Sequence, residues 1–265
     1  MQKDLLHLAV VQIDIIWEDI ATNLSKLDKM LEALKSDVDI LVLPEMFSTG
    51  FTMNPQKVLL QDQEQSLRWI QLWAKRKDMV VIASVPSVYK GEYFNTLYFV
   101  QPDGSYYKYN KKHLFSLAKE HQSYSKGTSK LIIDYQGWRI CPLICYDLRF
   151  PVFSRNFEDY DLLIYVANWP KTRILAWDTL LKARAIENMS YTVGVNRVGE
   201  DLGNVYSGHS QVVDTLGQYL LTPQTQEGIF YTAIDKKIQD TLREKLGFLR
   251  DRDQDLYSIQ SNNTN

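Results

Sequence analysis

The stretch LHLAVVQIDI (6–15) decides how the chain begins to fold. It is rich in apolar and β-branched residues and almost unbroken, which is typical of a strand buried on both faces. Residues 19–36 follow with apolar side chains at helical spacing, and VDILVLPE (38–45) is a second apolar run. A strand, a helix and another strand in this order predict an α/β protein.

Apolar runs and amphipathic stretches continue this pattern along the chain. We predict further helices at 64–77, 174–190 and 236–246, and further strands at 79–89, 93–102, 129–147 (two strands about a Gln136-Gly137 turn), 159–170, 191–199, 209–215, 217–222 and 228–235. We find no internal repeat, low-complexity linker or break in composition. The sequence therefore predicts one domain over residues 1–265, with large mixed or antiparallel sheets and a C-terminal helix and tail at 236–265.

The composition excludes several classes of protein. Hydrophobic residues make up 45% of the chain, which excludes extensive disorder, and two cysteines cannot form a disulfide scaffold. Because 30 basic residues nearly balance 32 acidic ones without a basic block, we expect no nucleic-acid partner. No run reaches the roughly 20 apolar residues of a membrane span and no signal peptide is evident, so we expect a cytoplasmic protein without a membrane partner. The absence of GxGxxG and GxxxxGK[ST] loops removes the simplest nucleotide-binding functions.

A carboxylate ends one of the predicted core strands. In LVLPEMFSTGF (41–51), apolar residues and a proline run directly into Glu45. Partial burial favours the protonated form of a carboxyl group, so a glutamate in such a place can act as a base near neutral pH. The alternative is a strand-end glutamate that reaches water or caps a turn.

A cysteine ends another predicted strand. In GWRICPLICYDLRFP (137–151), Cys141 and Cys145 share one strand face, and Cys145 stands where the strand gives way to a polar turn. Such a corner exposes a side chain beside free backbone N–H groups, which suits a nucleophile with an oxyanion hole. The alternative is a buried apolar cysteine, which fits Cys141 better. Two cysteines without a nearby histidine pair do not favour a metal site.

A lysine lies in an unusually aromatic setting in YNKKHLF (109–115). A lysine after an extended aromatic stretch is normally a solvated surface charge. Because the residues on both sides are aromatic or apolar, Lys111 can instead point inward.

These segments together are similar to the motifs of a known family. PEMFSTGF (44–51), YxKxHLF (109–115) and CYDLRFP (145–151) resemble the motifs of the nitrilase superfamily, the carbon–nitrogen hydrolases. NWP (168–170), ARAIEN (183–188) and the turn at 196–199 are further matches, and the resemblance runs from about residue 6 to 235. It implies a four-layer α-β-β-α sandwich with two mixed sheets, and a homodimer.

The resemblance also implies roles for individual residues. Glu45 matches the general base of the family, Cys145 its nucleophile and Lys111 its lysine, since one residue separates Lys111 from HLF. Glu120, in AKEHQSY (118–124), matches a second glutamate beside these three. Lys111 and the backbone N–H of Tyr146 are the donors that we expect around the oxyanion of an amide substrate. The implied reaction passes through a cysteine thioester and requires neither a metal nor an organic cofactor.

The substrate class is predicted from the local sequence around the motifs. PEMFSTGFTMNP, KEHQSY and ANWPKTR are most similar to the bacterial omega-amidase branch, which implies a small-molecule omega-amide such as 2-oxoglutaramate. Alternatives are a relative that hydrolyses carbamoyl amides or nitriles, and a non-catalytic binding or scaffold member.

An omega-amide of a dicarboxylic acid keeps a free carboxylate, which a guanidinium matches bidentately. Arg149, Arg173 and Arg197 are candidates; we prefer Arg173 and expect Arg149 to pair with neighbouring acids. Phe51 and Trp169 are predicted pocket walls, with core packing as the alternative. His113 and His121 suggest a cysteine–histidine pair, but the KxHLF match indicates a structural setting for His113.

Overall fold

The computed structural model describes residues 2–62 and 64–253. Its strands are β1 (Leu5–Gln12), β2 (Ile40–Val42), β3 (Val80–Tyr89), β4 (Glu92–Val100), β5 (Tyr106–Asn110), β6 (Ile133–Tyr135), β7 (Trp138–Ile144), β8 (Leu162–Val166), β9 (Tyr191–Val195), β10 (Val198–Asp201), β11 (Asn204–Ser207), β12 (Ser210–Val213), β13 (Tyr219–Gln224) and β14 (Gly228–Asp235). Its α-helices are α1 (Ile20–Glu32), α2 (Pro55–Asp62), α3 (Gln65–Lys77), α4 (Glu120–Ser123), α5 (Pro151–Ser154), α6 (Ile174–Asn188) and α7 (Lys236–Leu246). Short 3₁₀ helices occur at Ser116–Ala118, Cys145–Arg149, Lys171–Arg173 and Phe248–Asp251.

Two large sheets share the same plan. The first has the strand order β14-β1-β2-β3-β4-β5 and the second the order β13-β12-β9-β8-β7-β6. In each, the central strands pair in parallel, as β1 with β2 and β7 with β8 do, and the outer strands pair antiparallel. The β10–β11 hairpin is separate from both. Both large sheets are therefore mixed.

Alternation along the strands sorts the core into layers. On β1, Leu8 and Val10 face the second sheet and belong to one cluster with β7 and β8. Ala9 and Val11 face the other way and pack with the apolar sides of α1 and α3. Trp177 of α6 packs on the outer face of the second sheet. The order helix, sheet, sheet, helix confirms the predicted α/β fold with four layers.

The strand ends meet at one edge of the sandwich. Glu45 follows β2 by three residues, Lys111 follows β5 directly, and Cys145 follows β7 directly. The Gln136-Gly137 turn is confirmed between β6 and β7, with φ of 50° and 86° at its two residues, as a two-residue hairpin requires.

Some boundaries differ from the predictions. Helix α2 was not predicted, and the expected strand at 159–170 is confined to β8. The expected strand at 191–199 is divided into β9 and β10, because the Asn196 side chain bonds across the gap to the backbone of Trp169 and Gly208. Among the helices of residues 2–62 and 64–253, none is both long and apolar enough to cross a bilayer.

Candidate active site

The turn that carries Cys145 is held from beneath by one buried carboxylate. Cys145 begins a 3₁₀ helix with φ of +43°, a strained left-handed conformation for a residue with a Cβ. Asp147 Oδ2 accepts the Ile144 N–H at 3.0 Å and the Tyr109 hydroxyl at 2.7 Å. Its Oδ1 accepts the backbone N–H of His113 at 3.0 Å and lies 2.7 Å from His113 Nδ1. These bonds fix the strained turn.

Glu45 is fixed through both its backbone and its side chain. It is fully buried, and the next residue, Met46, has a φ of 47° and donates its N–H to Ser84 Oγ at 2.9 Å. Asn168 donates its backbone N–H to Glu45 Oε2 at 2.9 Å and its side-chain amide to the Glu45 carbonyl at 2.6 Å. The carbonyl of Asn168 in turn lies 4.0 Å from Cys145 Sγ. Asn168 therefore links the base candidate to the nucleophile candidate across the two sheets.

A buried charge cluster surrounds Lys111. Its ammonium donates to Glu45 Oε1 at 2.8 Å and to the two Glu120 oxygens at 3.0 and 3.1 Å. Lys111, Glu45 and Glu120 each have 0% of their surface exposed. The Phe115 N–H donates to Glu120 Oε2 at 2.6 Å, and the Asn95 amide donates to both carboxylates. One positive charge thus faces two negative charges in a place that water does not reach.

The charges around Cys145 oppose its ionisation. Burial raises the pKa of the Cys145 thiol well above its ordinary value; the Glu45 carboxylate raises it further and Lys111 works against both. Burial alone lowers the pKa of Lys111, but the Glu120 and Glu45 carboxylates outweigh it and raise that pKa. Burial also raises the pKa of Glu120, against the lowering effect of Lys111. At neutral pH the site therefore holds a thiol and an ammonium.

Cys145 opens onto a cavity of about 250 Å³. Among the residues that line it are Phe51, Phe115, Tyr146, Arg149, Asn168, Trp169 and Arg173. The guanidinium of Arg173 lies 5.2 Å from the centre of the Phe115 ring, and that of Arg149 lies 5.0 Å from the centre of the Trp169 ring. The Lys111 ammonium lies 4.9 Å from the centre of the Phe51 ring, so Phe51 contacts the charge cluster as well as lining the cavity.

The expectation that Arg149 pairs with neighbouring acids is wrong for the described part of the chain. Asp147, the nearest acid in sequence, uses both oxygens on other donors, so Arg149 turns to Trp169 instead. Arg197 is fully buried and bonded to Asp201 and Asp14, away from the cavity.

The two histidine candidates lie outside the cavity lining. The His113 ring stacks on Phe150 with 3.7 Å between ring centres, and His121 is exposed. Neither Asn95 nor the side-chain role of Asn168 was predicted from the sequence; the motif NWP, in which Asn168 stands, was the available signal for Asn168. In the described ranges, no three His, Cys, Asp or Glu side chains group as a metal site requires.

An α-β-β-α sandwich that brings a cysteine, a lysine and a glutamate from its strand ends together with a second glutamate from a short helix describes a class of hydrolases. The family model of the carbon–nitrogen hydrolases matches residues 7–243, and the chain belongs to this family.

The chain is similar to several named relatives. It is 45% identical to omega-amidase YafV of Yersinia enterocolitica over 80% of this chain and 83% of that protein. It is 39% identical to omega-amidase YafV of Escherichia coli K12, covering 94% of this chain and 97% of that one. It is 32% identical to 2-oxoglutaramate amidase of Bacillus subtilis, covering 94% and 98%.

A solved structure gives the same agreement in three dimensions. A CN-hydrolase superfamily protein of Xanthomonas campestris, which carries an arsenic adduct in its active site, superposes with a TM-score of 0.90 at 37% identity. The match covers 95% of this chain and 98% of that one.

Proposed function

We propose that the protein is an omega-amidase that hydrolyses the terminal amide of a short dicarboxylic acid, such as 2-oxoglutaramate, and releases ammonia. One observation carries the proposal: Cys145, backed by the Glu45–Lys111–Glu120 cluster, opens onto a cavity that also holds two arginines. Cys145 and the charge cluster suit amide cleavage, and the two arginines suit a substrate with a free carboxylate. The names of the relatives agree with this pairing.

Acylation begins with a proton transfer. Because the pKa of the Cys145 thiol is raised, a base must take its proton as the sulfur attacks the amide carbon. Glu45 is the base: its Oε1 already accepts Lys111 and Asn95, its Oε2 accepts the Asn168 N–H, and the Cys145 thiol hydrogen-bonds to the Glu45 side chain. A lone pair of Oε2 therefore remains for the thiol proton. Glu45 then passes this proton to the departing ammonia.

The tetrahedral intermediate carries an oxyanion. Lys111 supplies a positive charge and an N–H donor, since an ammonium has three donors to share among its partners. The backbone N–H of Tyr146 lies in the first turn of the 3₁₀ helix, where N–H groups have no partner within the helix. Both donors serve the oxyanion in acylation and again in deacylation. There Glu45, which has given its proton to ammonia, takes a proton from the water that attacks the thioester carbon and returns it to the departing Cys145 sulfur. Glu120 accepts the Lys111 ammonium at 3.0 Å and holds Lys111 in place.

The far end of the substrate meets the arginines. Arg173 binds the free carboxylate, and its backbone carbonyl accepts the Trp169 indole N–H at 2.8 Å, which ties the arginine to the cavity wall. Neither Arg173 nor Arg149 has an ion-pair partner in the described residues; both guanidinium groups lie against aromatic rings of the cavity wall and are available to an anion. Phe51 and Trp169 form walls for the short carbon chain.

We also propose that the protein works as a cytoplasmic homodimer, which the family resemblance implies. Exposed apolar side chains on α6, Leu175 at 77% and Ile186 at 50% exposure, are available for a contact between copies. Light scattering after gel filtration measures the mass in solution, and a monomer at working concentration contradicts the homodimer.

Ammonia release from a panel of substrates tests the function. We expect turnover of 2-oxoglutaramate, with much slower turnover of a carbamoyl-β-amino acid and of a simple nitrile. Intact-mass measurement during turnover should show the acyl group on Cys145, and Cys145→Ala should lose both turnover and adduct while keeping its melting temperature. Preference for the carbamoyl compound or the nitrile would favour those alternatives, and no turnover or adduct with any compound would favour a binding protein.

Arg173→Met tests the carboxylate contact. Losing a charge-assisted pair costs about 1.5–3 kcal/mol, so kcat/KM for 2-oxoglutaramate should fall about 10- to 150-fold. Hydrolysis of a neutral amide such as butyramide should change little. Equal losses on both substrates would contradict a carboxylate contact.

A further inference from the structure

Asn95 has a buried side-chain amide in the middle of β4 and takes no part in the proposed reaction. Its side chain is fully buried, and its backbone carbonyl accepts the backbone N–H of Lys111 at 2.9 Å. This backbone bond joins β4 to the end of β5 and places the Asn95 amide beside the charge cluster.

The amide of Asn95 bridges the two carboxylates. Its Nδ2 donates to Glu45 Oε1 at 2.8 Å and to Glu120 Oε1 at 3.3 Å. Its Oδ1 has no hydrogen-bond partner among the described residues. The reversed orientation would aim a carbonyl oxygen at two carboxylate oxygens, so the charges fix which way the amide points.

We propose that Asn95 is a positioning residue that keeps both carboxylates ionised and holds Glu45 turned toward Cys145. Two carboxylates at close range tend to share one proton, because their like charges disfavour double ionisation. Lys111 brings only one positive charge against two negative ones. Asn95 adds a donor that both ionised forms can use, and it adds no charge.

The bridge also settles which glutamate serves as the base. Glu120 already receives donors on both oxygens, from Lys111, Phe115 and Asn95. With Glu45 Oε1 occupied by Lys111 and Asn95, only Oε2 is left for the thiol. A proton already bound to Glu45 would remove the negative charge with which this carboxylate accepts the thiol proton.

The titratable groups around the pair are few. Lys111 donates to both glutamates, and the Cys145 thiol faces Glu45. The buried Tyr124 hydroxyl donates to the Thr52 carbonyl at 2.8 Å, and its pKa is raised by burial and by the charges of both carboxylates. The Tyr206 hydroxyl also interacts with Glu45, and burial raises its pKa above the ordinary value. Changes in the acidic limb of a pH profile therefore report on the carboxylate pair, since these four groups titrate at alkaline pH.

Two substitutions of Asn95 should alter opposite limbs of the pH profile. Asn95→Leu removes the donor, so the pair takes up a proton at higher pH and the acidic limb of kcat/KM should move up by about one pH unit. Below that limb the rate is then about tenfold lower than in the wild type. Asn95→Asp can donate while it is protonated, so it should keep activity at low pH and lose it as the pH rises.

A second readout separates this inference from the proposed function on which it rests. The rate of Cys145 alkylation by iodoacetamide, followed by intact mass against pH, needs the same proton transfer but no natural substrate. We expect the shifts seen in kcat/KM to appear in alkylation, whichever amide the enzyme prefers. Failure on every omega-amide with a shifted alkylation profile would overturn the substrate and leave the role of Asn95 standing.

A buried asparagine elsewhere supplies the matched control. Asn188, at the end of α6, is also fully buried and bonds to Asn156 and Arg155, outside the cluster. Asn188→Asp should keep the wild-type pH profile. If both Asn95 variants also keep the wild-type limbs in both assays, or change only KM, the proposal is wrong; if Asn95→Leu does not fold, Asn95→Asp alone decides between these outcomes.

Discussion

Replacing Lys111 by methionine isolates the electrostatic cost of the charge cluster. Methionine keeps most of the side-chain volume but removes the ammonium that lies 2.8 Å from Glu45 and 3.0 Å from Glu120. Both carboxylates then stay buried with no cation, since none of the three side chains is exposed. Removing one partner of a buried ion pair costs about 3–5 kcal/mol.

The stability that Lys111→Met loses should increase as the pH rises. Without the ammonium, one carboxyl of the pair keeps a proton in the folded protein at pH values where an unfolded glutamate, with a pKa of about 4.3, has lost it. The folded state then binds more protons than the unfolded state. The free energy of unfolding therefore falls by about 1.4 kcal/mol per pH unit above pH 4.3, until the folded carboxyl also ionises.

Thermal unfolding followed by circular dichroism at pH 5 and pH 8 measures both effects. For a chain of 265 residues, about 2–4 °C of melting temperature corresponds to 1 kcal/mol, so the full loss is about 6–20 °C at pH 8. The loss should be clearly smaller at pH 5. Lys108→Met, at an exposed lysine of β5, the strand that Lys111 follows, is the matched control and should melt like the wild type.

A double variant sharpens the test. Glu120→Gln in the Lys111→Met background removes one of the two uncompensated charges and should recover part of the lost stability at pH 8. A Lys111→Met protein that melts with the wild type at pH 8, or that loses the same amount at both pH values, would refute the assigned electrostatics.

Three further predictions concern the base, the nucleophile turn and a glycine. Glu45→Gln keeps the shape but cannot accept a proton, so kcat should fall about 10²- to 10⁴-fold in steady-state assays; a wild-type kcat would exclude this base. Asp147→Ala leaves a buried hydroxyl and a backbone N–H unpaired, at about 1–3 kcal/mol each, so the urea midpoint should fall; an unchanged midpoint would contradict its anchoring role. Gly199→Ala should destabilise more than Gly203→Ala, because both have φ above 80° but only the Cβ at Gly199 would meet a side chain, at 1.8 Å from Asp14 Oδ1; equal urea midpoints would show that this contact is relieved at no cost.

The sequence was most informative where apolar strands end. Glu45 and Cys145 each follow an uninterrupted apolar run, and such a run marks both a core strand and the place where its last polar residue emerges. The family resemblance supplied Lys111 and Glu120, which no periodicity distinguishes from surface charges. The four-layer fold likewise followed from the resemblance, whereas apolar patterning alone predicted only an α/β protein with large mixed or antiparallel sheets.

The rest depended on pairing between distant segments. Asn95 lies inside a strand, and only the register that pairs Thr96 with Asn110 brings it beside Lys111. Arg149 stands two residues from Asp147, so sequence distance suggested an ion pair. Two of the groups that donate to Asp147, the Tyr109 hydroxyl and the His113 N–H, come from one distant segment and cannot be read locally. Helix α2 was missed because PQKVLLQD (55–62) has too few apolar residues to show a helical period.

The acidic surroundings of Cys145 also bear on the lifetime of the enzyme. Peroxide attacks thiolates rather than thiols, and a thiol whose pKa is raised by burial and by Glu45 is ionised less at neutral pH than an ordinary cysteine thiol. Unlike hydrolases that store an ionised cysteine beside a histidine, this protein keeps its sulfur in a form that resists oxidative damage between turnovers. The enzyme should therefore keep its activity in hydrogen peroxide at concentrations that rapidly oxidise free cysteine.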